Sequence, residues 1–317
     1  MRTRENNIEM YERVAQKIGL DCEYIQTSSK KKSLFITDKK TFFIIGTGAP
    51  GFYPTVKRFN SFLTNNKILT QQILQKFNYK VISTVSIHPE DYSSIAELLK
   101  DVDKQTQLFP VLIKPNKGQD GKHITICIDK SQLLEVCEFF YAEQQGFLIQ
   151  PIVSQNEYRI LVVDNELVLI HSKRNPSIIG DGTSTIAQLL EEVPEGKKSQ
   201  AIIDWQHKKR STTMDSVLKT DETFEYHITK IPSTDVYHTN NFPKEVTDWA
   251  LKLATTIASP VVGIDVFIPS DIKDTASYTV IELNSNPAVY YLPWRCNDTE
   301  TPYLIIEKVL RNYFKLS

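Results

Sequence analysis

The stretch VVGIDVFIPSDIKDTASYTVIELNSNP, residues 261–287, holds two strand-like apolar runs on either side of a polar loop. Two such runs with a short polar connection are typical of a β-hairpin. A hairpin whose loop is centred on residue 273 places Asp265 almost directly across from Glu282. Asn284 lies two residues beyond Glu282 and therefore shares its face of the strand. The sequence thus predicts three oxygen-bearing side chains on one patch of a sheet.

Two carboxylates and an amide oxygen suit hard cations such as Mg²⁺. A pair of such ions about 4 Å apart clamps a phosphoryl group during its transfer. The alternative is a solvated hairpin face on which the acids lie by chance. Like charges opposite each other destabilise a sheet unless something neutralises them, which favours the metal. We therefore predict a metal site at Asp265, Glu282 and Asn284.

The whole chain has 317 residues, a formal net charge of −1 and 24% charged residues. This balance gives no global sign of a nucleic-acid or anionic-membrane partner. Its four cysteines are scattered without a CxxC pair, so neither a disulfide framework nor a zinc site is expected. No apolar signal region opens the chain, and no run approaches the roughly 18 apolar residues of a membrane span. We expect a cytoplasmic protein.

Helical and strand-like segments are mixed along the chain. Helical spacing predicts helices at 5–19, 66–78, 91–101, 131–145, 243–258 and 302–314. Strands are predicted at 33–37, 41–46, 80–85, 147–152, 261–268 and 278–284, with strand, glycine loop and strand across 109–129 and a hairpin at 157–173 turned at Asp164-Asn165. Several hairpins favour α+β lobes over one parallel doubly wound sheet. Residues 195–242 are polar and irregular, and their order is not predicted.

The stretch TFFIIGTGAPGFYP, residues 41–54, has the G-x-G-x-x-G spacing of a dinucleotide-binding fingerprint after an apparent strand. Such a site needs a helix that begins within the glycines, because its amides hold the pyrophosphate. Pro50 interrupts the glycines, and Pro54 would fall in the first turns of that helix, where it breaks hydrogen bonding. The acidic residue expected about 20 positions later is also missing. We interpret the stretch as a strand followed by a turn.

A glycine-containing loop follows the predicted strand PVLIK, which ends at Lys114. The loop carries Lys117, Gly118, Gly121 and Lys122 but not the GxxxxGK[ST] pattern of a Walker loop. A mobile hairpin of this kind is able to close over a triphosphate, although any charged hairpin looks similar.

Basic residues also mark the hairpin at 157–173. Glu157 and Arg159 start its first strand, and Lys173 and Arg174 end its second strand. An arginine donates bidentate hydrogen bonds to phosphate, although an exposed arginine without a ligand is commoner.

The order of these signals resembles the ATP-grasp superfamily. RNPSIIGDGTSTI, residues 174–186, is similar to the R-x-P-x-x-V-x-G-D-G-x-x-T-I stretch of one branch of that superfamily. VVGIDVFI and VIELNSNPAV resemble its G-[IL]-D and [IV]-E-[VLI]-N-x-x-P elements. The branch contains the ATP-grasp modules of cyanophycin synthetase and of the bifunctional glutathione synthetases. The resemblance covers roughly residues 41–312.

The resemblance implies an α+β fold in which ATP lies between two antiparallel-sheet lobes. It divides the chain into an N-terminal α/β region at 1–63, a small lobe at 64–150 and a large lobe at 151–317. The small lobe carries a flexible glycine hairpin at 115–122, and the large lobe carries the metal site.

The resemblance also implies three sets of site residues. The nucleotide set binds phosphates through its lysines, covers them with its glycines, and holds adenine and ribose; it comprises Lys67, Lys114, Gly118, Gly121, Gln150, Pro151, Ile152 and Glu157. The catalytic set serves the phosphate or the reacting acyl group and comprises Arg159, Lys173 and Arg174. The metal set holds two Mg²⁺ ions, which Mn²⁺ can replace, and comprises Asp265, Glu282 and Asn284.

The activity that this implies is ATP-dependent ligation of a carboxylate to an amine through an acyl phosphate, with release of ADP and phosphate. Its partners are small carboxylate and amine substrates, amino acids or short peptides, with no nucleic acid and no membrane. Homo-oligomers are common among such ligases, but the sequence leaves the oligomeric state open. Two alternatives stay open. One is a phosphotransferase on the same scaffold, and the other is a module that senses nucleotide without turnover.

Two departures from the family pattern bear on ligands. The hinge acid that is common in these enzymes is Gln150 here, whose amide oxygen can still accept from the adenine amino group. IPSTDVYHT, residues 231–239, stands where the cyanophycin-type modules carry N-[IL]-S-x-G-G, which leaves the acceptor substrate open.

Overall fold

A computed structural model of the chain describes residues 7–28, 31–46, 53–106, 108–117, 123–153, 155–228, 231–238, 242–269, 271–296 and 298–316. Its helices are α1 (Asn7–Lys17), α2 (Arg58–Thr64), α3 (Lys67–Lys76), α4 (Ile95–Gln105), α5 (Lys130–Ala142), α6 (Ile186–Glu191), α7 (Gln200–Arg210), α8 (Lys244–Thr256), α9 (Leu292–Arg295) and α10 (Thr301–Phe314). Its strands are β1 (Asp21–Ser28), β2 (Lys31–Thr37), β3 (Phe42–Gly46), β4 (Val85–Ile87), β5 (Val111–Pro115), β6 (Thr125–Cys127), β7 (Phe147–Pro151), β8 (Asn156–Val163), β9 (Glu166–Arg174), β10 (Ser177–Ile179), β11 (Thr223–Glu225), β12 (Ile231–His238), β13 (Val261–Ile268) and β14 (Thr279–Asn284).

The largest sheet has five strands in the order β12-β9-β8-β13-β14, and every neighbouring pair is antiparallel. β8 and β9 form the predicted hairpin, with its turn at Asp164-Asn165. Both turn residues have positive φ, 48° and 62°, as a type I′ turn requires. β13 and β14 form the other predicted hairpin, so both expectations are confirmed.

One face of this sheet is apolar because alternate residues of its strands are valine, leucine or isoleucine. It packs on α8 and forms a core that includes Ile160, Val162, Ile170, Val262, Ile264, Val266 and Leu283 from the sheet and Val246, Ala250, Leu253 and Ala254 from the helix. Each large side chain buried in this way contributes about 1.5–3 kcal/mol to stability. The opposite face is divided. α9 and α10 cover the region around Leu161 and Val163, and the region around Arg159 carries charged residues.

The small lobe is a four-stranded antiparallel sheet, β4-β7-β5-β6, with α4 and α5 on one face. Val111, Ile113, Phe147 and Ile149 point into that core. The alternate residues of β5 and β7 therefore lie on the other face, which includes Lys114 and Gln150.

Two predicted elements of this lobe are placed differently. The strand predicted at 80–85 is wrong: Val81 forms a single bridge with Val280 of the large sheet, and the small-lobe strand starts at Val85. The segment connects the two sheets, which divides its backbone hydrogen bonds between them. The helix predicted at 91–101 begins later, at Ile95, because Ser94 caps it by accepting from the Glu97 amide.

The N-terminal unit is an antiparallel meander, β1-β2-β3, with α1 and α10 on one face. β1 was not predicted, because DCEYIQTS is largely polar. β3 is followed by residues 47–52, which lie outside the described residues, and the next helix starts only at Arg58. An antiparallel meander does not supply the βαβ unit of a dinucleotide site, which argues against that reading of the glycines; the predicted turn itself lies outside the described residues.

Residues 175–228 form a small unit of β10, β11, α6 and α7 around Phe224. The sequence did not predict the elements of this unit beyond residue 195. Thr185 is the N-cap of α6 and forms a capping box with Gln188. Among the described helices, none is long and apolar enough to cross a membrane.

Candidate functional site

The β13–β14 hairpin has the register that the sequence predicts. Asp265 is paired with Glu282, and Gly263 is paired with Asn284. A bulge follows immediately, because Val266 is paired with Val280. The two carboxylates and the amide therefore lie on one face of the sheet.

The same row extends across two more strands. Arg159 of β8 is paired with Asp265, and His171 of β9 is paired with Arg159. Glu157 and Lys173 face each other two residues along from this row. Because paired residues share a face, these side chains form one charged patch, which we call the charged row.

Asp265 is the centre of the charged row. Arg159 Nη2 donates to Asp265 Oδ2 at 2.7 Å, and Arg159 Nε donates to Oδ1, so the pair is bidentate. Lys173 Nζ lies 3.2 Å from Asp265 Oδ2 and also contacts Glu157 Oε1. Asp265 is only 1% exposed, so these partners compensate a charge that water does not reach.

The charges of the row hold one another in the ionised state. Burial favours the neutral form of Asp265, but Arg159 and Lys173 outweigh it and hold the pKa of this carboxyl below its usual value. Burial acts in the same direction on Lys173, and the carboxylates of Asp265 and Glu157 outweigh it and raise the pKa of the amine. The pKa of Arg159 is raised for the same reason, chiefly by Asp265.

Gly263 makes room for the arginine. A Cβ atom at this position would lie 3.2 Å from Arg159 Cδ and 3.0 Å from Pro287 Cβ. The packing of the site therefore requires the glycine of the GID motif. The motif is visible in the sequence, but the role of its glycine depends on Arg159, which is 104 positions earlier.

The side chains of Glu282 and Asn284 make no hydrogen bond or ion pair with another residue of the described ranges, and both residues are partly exposed. They are two oxygen donors side by side on one strand, the donor chemistry that Mg²⁺ prefers. Asp265 adjoins them, but both of its oxygens already accept hydrogen bonds. In the described part of the chain no group of three or more His, Cys, Asp or Glu side chains is placed to hold a metal. The predicted set contains only two such residues and an amide.

The small lobe brings a lysine to this patch. Lys114 is 5% exposed, and its side-chain amine makes no hydrogen bond or ion pair with another described residue. Burial lowers the pKa of its amine, and among the charges that oppose this effect that of Glu282 is the largest. A buried ammonium without a direct partner is a strong recognition group for an anion.

The remaining predicted nucleotide residues have separate surroundings. Lys67 begins α3 behind the N-cap Asn66, and its Nζ donates to the Asn116 carbonyl at 3.4 Å. Gln150 is 1% exposed, whereas Pro151 and Ile152 are at least partly exposed. Gly118 and Gly121 lie outside the described residues.

Arg174 is not brought into the charged row. It ends β9 one residue after Lys173, so its side chain starts on the opposite face of the strand. It is exposed and has no ion-pair partner in the described part of the chain.

The glycines of the GDG motif are required by close backbone contacts. A Cβ atom on Gly180 would lie 2.2 Å from the Lys219 carbonyl oxygen, and Gly182 has a φ of +80°. Asp181 accepts from the amides of Thr183 and Ser184 and from the Ser184 hydroxyl, which lowers its pKa and fixes the turn into α6.

The sequence did not assign a role to any histidine, but His171 is part of the site. It is 1% exposed, its Nε2 lies 3.1 Å from the Tyr291 hydroxyl, and its Nδ1 lies 3.2 Å from the Ser172 carbonyl. Burial lowers the pKa of His171 to about 4, so the ring is neutral beside Arg159. No sequence signal joins residues 171 and 291, which are 120 positions apart.

Comparisons with known proteins agree with this architecture. No protein-family model matches the chain. The glutathione biosynthesis bifunctional protein GshAB of Clostridium perfringens is 27% identical over 253 residues, which are 72% of this chain and 31% of that protein. The GshAB protein of Mannheimia succiniciproducens is 24% identical over 257 residues. The chain thus spans about a third of the length of these curated relatives, 31% and 32%.

Two solved structures have a similar fold. A bifunctional glutathione synthetase from Pasteurella multocida matches 97% of this chain and 44% of its own, with a TM-score of 0.54 and 16% identity. A D-alanine–D-alanine ligase from Bacillus anthracis matches 83% of this chain and 72% of its own, with a TM-score of 0.51 and 15% identity. The antiparallel lobes and these two structures show that the chain has the ATP-grasp fold that the sequence resemblance implied, and in sequence it is similar to the GshAB proteins.

Proposed function

We propose that the chain is an ATP-dependent ligase that joins a carboxylate to an amine and releases ADP and phosphate. One observation carries the proposal: the buried amine of Lys114 lies near the sheet face that holds Glu282, Asn284 and the Arg159–Asp265 pair. Among the described residues, the side chains of Lys114, Glu282 and Asn284 have no hydrogen-bond or ion-pair partner. Cations for phosphate and oxygen donors for a metal are thus collected between two lobes. The names of the relatives, a D-alanine–D-alanine ligase and glutathione synthetases, support this class of reaction.

Nucleotide binding is assigned to the small lobe and the first strand of the large sheet. Lys67 and Lys114 bind phosphates, residues 116–122 cover them, and residues 150–152 contact adenine. Glu157 is assigned to ribose, and its Oε1 also contacts Lys173.

Glu282 and Asn284 would hold the metal, with Asp265 adjoining them. The donor set fits Mg²⁺ or Mn²⁺, and ATP-grasp ligases as a class use divalent ions with ATP. We propose two ions. When bound, they offset the charge of the phosphate oxygens.

The chain's own residues then act on the substrate by position and charge. The Arg159 guanidinium uses Nε and Nη2 on Asp265, which leaves Nη1 as a donor for a phosphate or carboxylate oxygen. The substrate carboxylate attacks the γ-phosphorus, and ADP leaves. The amine then attacks the acyl carbon, phosphate leaves, and one proton is released. The fixed cations stabilise negative charge in both steps without reorganising.

The substrates are proposed to be amino acids or short peptides, and the protein is proposed to act in the cytoplasm. A direct test incubates the purified protein with Mg-ATP and pools of amino acids and short peptides, and measures ADP and product mass in the same wells. Ligation predicts ADP with a new mass equal to two substrates less water. ADP with a phosphorylated product and no condensation would instead indicate a phosphotransferase. Nucleotide binding without ADP in any pool would indicate a sensing module.

A further inference from the structure

A buried amide in the small lobe has one hydrogen-bonding atom that the protein does not use. Gln150 is 1% exposed and lies on the same sheet face as Lys114. Its Nε2 donates to Thr84 Oγ1 at 2.8 Å, whereas Oε1 is buried without a partner among the residues that the structure describes. Buried acceptors are nearly always paired in folded proteins, so an unpaired one on the sheet face that carries the proposed nucleotide residues indicates a donor on the ligand.

Thr84 fixes which atom of the amide is left over. Its hydroxyl donates to the Ile82 carbonyl oxygen at 3.0 Å. A hydroxyl has a single hydrogen, so Thr84 Oγ1 can then only accept from Gln150. The accepting hydroxyl requires the NH₂ end of the amide, which turns the carbonyl oxygen away from Thr84. The three groups therefore form a chain with one orientation.

We propose that Thr84 is a specificity-determining residue of the nucleotide site, acting through Gln150. By holding the amide in one orientation, it presents a fixed acceptor that selects a base with an exocyclic amino group and disfavours a base with an oxo group at the same position. The inference rests on the proposed nucleotide function. It goes beyond that function by assigning base selection to a residue with no expected contact to the nucleotide.

ITP is the matched probe, because its base carries an oxygen where ATP carries the 6-amino group. With ITP, an acceptor faces the Gln150 oxygen, which stays unpaired. Sites built to hydrogen-bond an N–H group discriminate strongly against the analogue that lacks it. We expect the wild-type protein to bind ATP about tenfold to a hundredfold more tightly than ITP.

The test measures both dissociation constants by isothermal titration calorimetry for the wild type and three variants. Thr84→Val keeps the shape but removes the hydroxyl, so the amide is free to rotate and offer its NH₂ to the oxo group. The ATP-to-ITP preference then falls to within about threefold. Thr84→Ser keeps the hydroxyl and is expected to keep the wild-type preference. Gln150→Leu loses the preference, and adding Thr84→Val to it changes the ratio no further.

The outcomes separate this inference from the proposed function. A Thr84→Val protein, shown by circular dichroism to be folded, with the wild-type preference overturns the inference. A wild type that binds ATP and ITP equally also overturns it and leaves ATP binding intact. Failure to bind either nucleotide overturns both. If Thr84→Val does not fold, the Gln150→Leu protein decides, because an unchanged preference there removes the basis of the inference.

Discussion

At the scale of single residues, Asp265 has the most demanding environment in the site. It is 1% exposed and is shared by a guanidinium and an ammonium group. Such a cluster is stable only while it is complete, since removal of one member leaves buried charges without compensation. Glu282, its neighbour across the hairpin, carries the same charge but makes no ion pair within the described residues. The two carboxylates therefore differ in what they contribute to folding.

Asp265→Asn is expected to lower the free energy of unfolding by about 3–5 kcal/mol, because Arg159 and Lys173 lose their common partner. Glu282→Gln is the matched control on the same row, and its cost is expected to stay within about 0.5 kcal/mol. Urea unfolding followed by circular dichroism measures both. Equal costs for the two substitutions would contradict the assignment of Asp265 as the structural centre of the charged row.

His171 predicts a dependence of stability on pH. Burial lowers its pKa to about 4 in the folded protein, against 6.5 without burial. The unfolded chain therefore binds more protons between these values, so stability is complete above about pH 6.5 and falls as the pH drops toward 4. Each pH unit in this window corresponds to about 1.4 kcal/mol, so the loss from pH 6.5 to 5 is about 2 kcal/mol.

The measurement is urea unfolding of the wild type and of His171→Gln between pH 5 and 7. The variant lacks this titration, and its stability is expected to fall less steeply with acidification. His227, whose pKa burial also lowers, is present in both proteins and cancels in the difference. Identical pH slopes would show that His171 is not held neutral in the folded protein.

At the scale of elements, the GDG turn joins β10 to α6 and packs against residues 218–222 of the same small unit. The backbone of Gly180 donates to the Glu222 carbonyl and accepts from the Asp221 amide, at 2.7 Å and 2.9 Å. A neighbouring chain segment therefore passes too close for any side chain. The unit's own core is small, with Phe224 fully buried at its centre, so it depends on this contact.

Gly180→Ala is expected to destabilise the protein by more than about 2 kcal/mol, because the new Cβ atom would lie 2.2 Å from the Lys219 carbonyl oxygen, a backbone atom. Gly196→Ala is the control in the same unit, since nothing lies within 4 Å of its Cβ position. Thermal unfolding of both variants compares them. A Gly180→Ala protein as stable as Gly196→Ala would show that the segments do not pass so closely.

At the scale of the whole molecule, α10 joins two cores. Ile306, Leu310 and Phe314 pack into the N-terminal unit with α1. Ile305 and Val309 pack against the large sheet, beside the charged row on the same face. The last helix is therefore shared between the first unit of the chain and the last. Cooperative unfolding of these two units follows from that arrangement.

Leu310→Ala is expected to lower the free energy of unfolding by about 2–5 kcal/mol, because this side chain of α10 is fully buried in the core of the N-terminal unit. Leu304→Ala on the same helix removes the same atoms from a side chain that is 61% exposed, and is expected to cost less than about 0.5 kcal/mol. Chemical unfolding of both proteins provides the comparison. Similar midpoints would mean that α10 is not the shared element.

Sequence reasoning succeeded where the information is local. The Asp265–Glu282 register follows from one short loop and strict alternation, and the turn at Asp164-Asn165 from the residues that tolerate positive φ. It failed where contacts between distant segments of the chain determine the structure. The Arg159–Asp265 pair joins residues 106 positions apart. The segment from Val81 to Ile87 is divided between two sheets, and α7 has too weak an apolar periodicity to stand out. The roles of the site residues remain proposals, because they depend on how ligands bind.

The decisive measurement follows the oxygen atoms of the substrate carboxylate. The protein is incubated with Mg-ATP and a pool of amino acids whose carboxylates carry ¹⁸O, and the released phosphate is analysed by mass spectrometry. An acyl phosphate intermediate transfers one carboxylate oxygen to phosphorus, so phosphate carrying a single ¹⁸O is the expected result. ADP formation with only unlabelled phosphate would contradict the ligase, because the carboxylate would then never have been phosphorylated.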